Sequence, residues 1–414
     1  MDMVMAAGGV LFFVLFVFLM FIFLVYIASL FIRRKFPDYE PSLSVVIPAF
    51  NEEKNIAACL DSVFASDYPR GKMGEVIVVD DGSSDSTVDI VKAYSSVKCI
   101  SSQHAGKAAA ITLGAKAARH EFVLTIDADT VLDKGCIRQL VRPLSDNSVG
   151  AVTGLCKVKN KSSFLGMFQN IEYHYNNLIK NSFSVVFNNG IWFFGALACY
   201  RKAAIAKVGY FKQHTLAEDM DIVLELKKAG YRTYCVKDAV SLTIVPDTIL
   251  GFYSQRSRWW LGTLQALVRN RELFSLGASP SILFLYVNQF WWSFYSFISL
   301  PLIIYQVFYW LPSNSQSVIS VFSYLFRWFS LAGPAYVVYK FPQWGFSYYS
   351  FFGVMGGIIS AFMIVSGIRL FKDRLSFRNL FALFFYFPYT IAINLVTFIS
   401  LLRSRSLRTK FFIK

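Results

Sequence analysis

Asp127-Ala128-Asp129 carries the side chains best suited to chemistry in this chain. The triplet follows Phe122-Val123-Leu124-Thr125-Ile126, an apolar run that reads as a buried parallel strand. Carboxylates leaving the carboxyl end of such a strand stand where open α/β sheets bind their ligands. With one residue between them, both can approach a single hard cation, which takes oxygen donors and bridges carboxylates to phosphates. A nucleoside diphosphate is the ligand class this fits. Alone, an Asp-x-Asp is also an ordinary solvated turn, so its neighbours along the chain decide.

Pro48-Ala49-Phe50-Asn51-Glu52 ends a first strand and lines the mouth of the sheet, although Asn51 would equally cap a following helix. A second strand, 75–79, runs into Asp80-Asp81-Gly82-Ser83-Ser84-Asp85. Turn and capping needs explain the glycine and serines, but not two adjacent carboxylates, which can accept from a base or ribose edge. Gly106-Lys107 opens an Ala-rich helix. A lysine there is either solvated or, because it opposes the helix dipole, set to meet an anion. Phe193-Phe194-Gly195-Ala196 precedes a strand-like 197–200, and Ala217-Glu218-Asp219-Met220-Asp221 opens an amphipathic helix. Acidic residues in a first turn complement the dipole; one of them can also be a general base for a hydroxyl nucleophile. Gln255-Arg256-Ser257-Arg258-Trp259-Trp260 lies on a helix before the last apolar segments, where it reads as a site element or as an interfacial anchor.

The elements that must position these groups follow from the hydropathy pattern. From 41 to about 245, short apolar runs at 43–47, 76–79, 97–100 and 122–126 alternate with helix-like stretches, which implies βαβ units and a mainly parallel sheet. Residues 9–32 carry no charge and are followed by Arg33-Arg34-Lys35. That predicts a membrane span with the chain after it in the cytoplasm. Further spans are expected at 281–311, bent at Pro301, and at 317–340, 346–370 and 379–402. Their flanks conflict: Arg369, Lys372, Arg374 and Arg378, and the tail Arg403, Arg405, Arg408, Lys410 and Lys414, both look cytoplasmic. One span between them cannot satisfy both, so one segment lies in the interface or one loop breaks the rule.

Hydrophobic residues make up 55% of the chain and charged residues 16%, against about 25% in soluble proteins. The net charge of +15 then points to anionic lipid and phosphate-bearing substrates, with no nucleic acid partner. Six scattered cysteines and four histidines form no metal-ligand spacing, which excludes a zinc site.

Taken in order, these motifs resemble the membrane-bound family-2 glycosyltransferases of the cellulose, chitin, hyaluronan and poly-N-acetylglucosamine synthase type. The resemblance covers about 43–262 and implies a GT-A-type α/β domain, a mixed and mainly parallel sheet, combined with transmembrane and interfacial helices. It implies a transmembrane helix at 1–35, a cytoplasmic catalytic domain at 41–246, interfacial helices at 247–278, and three or four spans with a basic tail at 279–414 of an integral plasma-membrane protein. It assigns Pro48, Asn51, Glu52, Asp81, Lys107 and Asp127 to the nucleotide, and Asp129 to a divalent cation, Mg2+ or Mn2+. Asp219 becomes the base with Glu218 beside it, while Gln255, Arg258, Trp259, Phe194 and Gly195 serve the diphosphate and the acceptor. Ala217 departs from the family's Thr-Glu-Asp pattern by losing a hydroxyl.

The activity implied is inverting transfer from a UDP-sugar, with N-acetylglucosamine favoured, to a growing β-linked glycan that the membrane helices then pass across. A small accessory subunit would be compatible with it. The alternative is a single transfer to a lipid acceptor, a ceramide or a polyprenyl phosphate. A transporter that has lost its chemistry fits less well, because the carboxylates and Arg258 are all present.

Overall fold

The computed structural model describes residues 2–69, 71–275, 279–309, 311 and 318–404. The chain begins with α1 (Asp2–Phe31), β1 (Leu43–Ala49), α2 (Ile56–Phe64), β2 (Met73–Asp80), α3 (Thr87–Lys92), β3 (Val97–Ser101) and α4 (Lys107–Ala117). It continues through β4 (Phe122–Ile126), β5 (Val131–Leu132), α5 (Cys136–Val141), β6 (Val149–Val158), α6 (Phe164–Phe187), β7 (Leu197–Arg201), α7 (Lys202–Lys207) and α8 (Glu218–Lys228). After β8 (Arg232–Thr243) come α9 (Ile249–Arg269), α10 (Pro280–Tyr309), α11 (Val318–Trp328), α12 (Ala332–Trp344), α13 (Tyr348–Leu370), α14 (Phe377–Phe384) and α15 (Tyr386–Leu402).

The strands form one eight-stranded sheet in the order β3-β2-β1-β4-β7-β6-β8-β5. β1 runs parallel to β2 and β4, β2 to β3, and β6 to β8, whereas β7 is antiparallel to β4 and β6, and β5 to β8. The sheet is mixed, as the motif order implied. β1 and β4 are buried along their whole length, which is why they read as continuous apolar runs rather than alternating ones. Val45, Ile47 and Leu124 face Leu60 of α2 and Leu140 of α5. Val46 and Val123 face Ile111 of α4 and Leu224 of α8 on the other side. Gly114 lets α4 lie close to the sheet, since a Cβ there would come within 2.4 Å of Val46.

Besides the two-residue β5, two strands and one long helix were not legible. β6 contains Gly150 and Gly154, and β8 is interrupted by Lys237-Asp238 and a register shift. In α6 the polar residues Gln169, Asn170, His174, Asn177 and Lys180 are buried alongside Ile171, Leu178 and Phe183, so the helix lacks the polar outer face of one on a water-facing surface.

Among the described residues three helices are long and apolar enough to cross a membrane: 6–31, Pro280–Tyr309 and Ser350–Leu370. Pro301 sits inside α10 without ending it. One expected span is corrected, and another is found to be broken. The segment 317–340 divides into α11 and α12, each too short to span, at Ser330-Leu331. The segment 379–402 is a bent pair, α14 and α15, whose axes differ by 62° at a break near Phe385. Asn379 Oδ1 accepts from Asn170 of α6 at 3.1 Å, and Ser400 shares a 2.7 Å hydrogen bond with Ser257 of α9. The tail residues Arg405, Arg408, Lys410 and Lys414 lie outside the described residues.

Candidate active site

The carboxyl ends of β1, β2 and β4 bring the first motifs together. β2 delivers Asp81, whose two carboxylate oxygens accept from the Ala105 and Gly106 N–H groups, both at 2.8 Å. Gly106 has φ +89°, a left-handed conformation that glycine adopts without strain. Asp81 thus shapes the turn that launches Lys107, and it is 3% exposed. Asn51 Oδ1 accepts from the Ser84 N–H, and Glu52 Oε2 from Asn55 Nδ2. Pro48 is buried in the sheet opposite Val79.

Lys107 is the hub. Its ammonium lies 2.6 Å from Asp127 Oδ1 and 3.3 Å from Glu218 Oε1, so the β4 loop and the start of α8 meet across it. Burial opposes charging Lys107, but Asp127 and Glu218 outweigh it and hold the amine cationic. Asp129 is pushed up to about 6, by burial first and then by the Asp127 and Glu52 charges. This crowd of carboxylates is a hard oxygen donor set and fits a divalent cation. Among the described residues no group of three His, Cys, Asp or Glu side chains is arranged to hold a metal alone. A bound cation would complete its shell with ligand oxygens such as those of a diphosphate.

The adjacent carboxylates at the start of α8 are driven in opposite directions. Burial pushes Glu218 up, but Lys107 and Arg258 overcome it and leave it below the ordinary range. Asp219 rises to about 6, through burial and then the Glu218 charge. Such a split separates an ion-pair partner from a base. Asp219 Oδ2 accepts from the Gly195 N–H at 3.0 Å, and a Cβ at position 195 would lie 2.9 Å from Asp219 Oδ2. Only glycine allows that approach. Ala217 packs as closely on α9, its Cβ 2.7 Å from where a Cβ on Gly262 would be. That packing is where this chain departs from Thr.

α9 brings in Gln255, Arg258 and Trp259, which share with Lys107, Asp127 and Asp219 the lining of a cavity of about 1300 Å³. Asp129, Glu218, Phe194 and Gly195 line it too, whereas Pro48, Asn51, Glu52 and Asp81 do not. The cavity continues among α1, α10, α13 and α15, past Trp292, Tyr295, Ser360 and Asn394. Trp259 is held by the Arg256 guanidinium, 4.5 Å from its ring centroid. Arg256 in turn pairs with Glu172 of α6 at 2.7 Å, and Tyr389 of α15 donates to the same carboxylate. Glu172 and Lys180 were missed because no motif marks α6.

Residues 44–209 match the family model described as Glycosyl transferase family 2. The chain carries a family 2 glycosyltransferase domain. It is 33% identical over 249 residues to a poly-beta-1,6-N-acetyl-D-glucosamine synthase of Staphylococcus epidermidis, a match spanning 58% of this chain and 59% of that relative. A protein of the same name from Staphylococcus aureus strain COL is 32% identical over 55% of this chain and 56% of its own length. The matched stretch thus covers under two thirds of these relatives. Among solved structures, a mannosyltransferase from Pyrobaculum calidifontis, in complex with GDP-Man and Mn2+, covers 87% of this chain and 99% of its own at TM-score 0.62 and 22% identity. At that identity the likeness is one of fold, and the family 2 domain is of GT-A type.

Proposed function

We propose that the protein is an inverting glycosyltransferase that extends a β-1,6-linked N-acetylglucosamine polymer from UDP-N-acetylglucosamine and passes it through its own membrane helices. One observation carries this reading: a single cavity holds Asp127, Asp219, Arg258 and Trp259 at one end and runs between membrane-length helices at the other. A transferase for one small acceptor needs no such continuation. The sugar and linkage rest on likeness to the staphylococcal synthases.

In this reading Asp219 removes the acceptor hydroxyl proton as the oxygen attacks the anomeric carbon from the face opposite the diphosphate, so an α-linked donor gives a β-linkage. Its raised pKa suits a base working near neutrality. Lys107 and Arg258 offset the charge that develops on the leaving diphosphate, and Glu218 keeps Lys107 charged and in place. Trp259 offers an aromatic face to the acceptor ring. Asp129 and Asp127 would hold Mg2+ or Mn2+, which when bound neutralises diphosphate charge as a Lewis acid. Asp81 acts through the backbone turn, and the domain faces the cytoplasm, where nucleotide sugars are.

The test is product sizing with purified protein in lipid, Mg2+ or Mn2+, and a panel of radiolabelled UDP-sugars. A high-molecular-weight product from UDP-N-acetylglucosamine alone supports the reading. A small lipid-extractable product would replace it with single transfer to a lipid.

A further inference from the structure

The buried polar residues of α6 are nearly all engaged by the protein. Gln169 donates to Pro246 O, Asn170 to Asn379, and Asn177 to Cys156 O, while His174 meets Asp373. Lys180 differs. It is 7% exposed, lines the cavity, and makes no hydrogen bond or ion pair among the described residues. Its ammonium stands 4.3 Å from the centroid of the Phe194 ring. Phe194 directly precedes Gly195, whose N–H holds Asp219. Lys107 is tied to Asp127 and Glu218; Lys180 belongs to no such cluster.

A lysine ammonium has three donors, and those of Lys180 open onto the cavity, where a ligand can supply acceptors. Burial pushes the Lys180 amine down, yet the ring face beneath it favours the cation. Lys180, Phe194 and Asp219 line one cavity, so an acceptor sugar bound beside Asp219 has this ammonium within the same space. We propose that Lys180 is an acceptor subsite that donates to the amide carbonyl oxygen of an N-acetylated sugar and disfavours a sugar bearing a protonated amine. This rests on the reading of the protein as an N-acetylglucosamine polymer synthase. It adds a selection that reading does not contain, for acetylation of the acceptor rather than of the donor.

The experiment measures binding, so it does not depend on turnover. UDP-loaded protein in lipid is titrated at pH 7 with a β-1,6-linked N-acetylglucosamine pentamer and with its fully de-N-acetylated counterpart. The intact protein should bind the acetylated pentamer at least about tenfold more tightly. Lys180→Met should bring the two within about twofold, and Lys180→Arg should keep the preference. UDP affinity reports folding in each variant, and Lys180→Gln replaces the methionine variant if that one fails to bind UDP. No preference in the intact protein, or a preference unchanged in the neutral variants, would overturn the subsite. Absence of transfer from UDP-N-acetylglucosamine with the binding preference intact would instead overturn the assigned reaction.

Discussion

Asp219 and Glu218 are neighbours in sequence, yet their surroundings give them different chemistry. Lys107 and Arg258 hold Glu218 ionised, while burial and the Glu218 charge raise Asp219 to about 6. A base with a raised pKa is protonated, and silent, below that value. Thus kcat/KM should fall about tenfold per pH unit below about pH 6 and level off above it; a profile flat down to pH 5 would remove Asp219 from the role. Asp219→Asn should retain UDP binding and lose roughly 100- to 10,000-fold in transfer. Gly195→Ala should lower kcat while UDP affinity holds, because the added methyl strikes the Asp219 carboxylate. These carboxylates were legible in the sequence because they sit at strand ends in fixed order. Lys180 and Glu172 were not, because no motif marks α6 and the burial of its polar residues appears only in the fold.

At the scale of elements, α9 owes its position to α6 and α15. Arg256 lies over Trp259, pairs with Glu172 and shares that carboxylate with Tyr389. Both members of the pair are largely buried, so removing one leaves the other uncompensated, a loss of about 3–5 kcal/mol. Glu172→Ala should therefore lower the unfolding temperature and weaken acceptor binding together. An unchanged unfolding temperature would show that the tie does not hold α9. The strands β1 and β4 could be read from their apolar runs, since both sheet faces are covered. β6 and β8 could not, because glycines and a charged bulge break the pattern.

For the whole molecule, one platform gathers the basic flanks. Arg34 donates to Val185 O at the end of α6, Asp373 meets His174 in its middle, and Ser400 bonds Ser257 on α9. The ends of α1, α13 and α15 therefore face the catalytic domain together. The sequence posed the two basic flanks as a conflict, to be met by an interfacial segment or by one loop breaking the rule; the hydrogen bonds of Asp373 and Ser400 set both flanks beside α6 and α9. With Cys99 replaced, cysteines introduced at Leu375 and Ser404 should both react with an impermeant thiol reagent from the side of the catalytic domain. Labelling from opposite sides would restore the straight span.

Under the proposed function, chemistry and membrane passage share one cavity. The most direct measurement uses sealed proteoliposomes with the catalytic domain outward, supplied with radiolabelled UDP-N-acetylglucosamine and then with a glycosidase that cuts the polymer. The account predicts polymer that resists the glycosidase until detergent opens the vesicles. Polymer digested fully without detergent would contradict it.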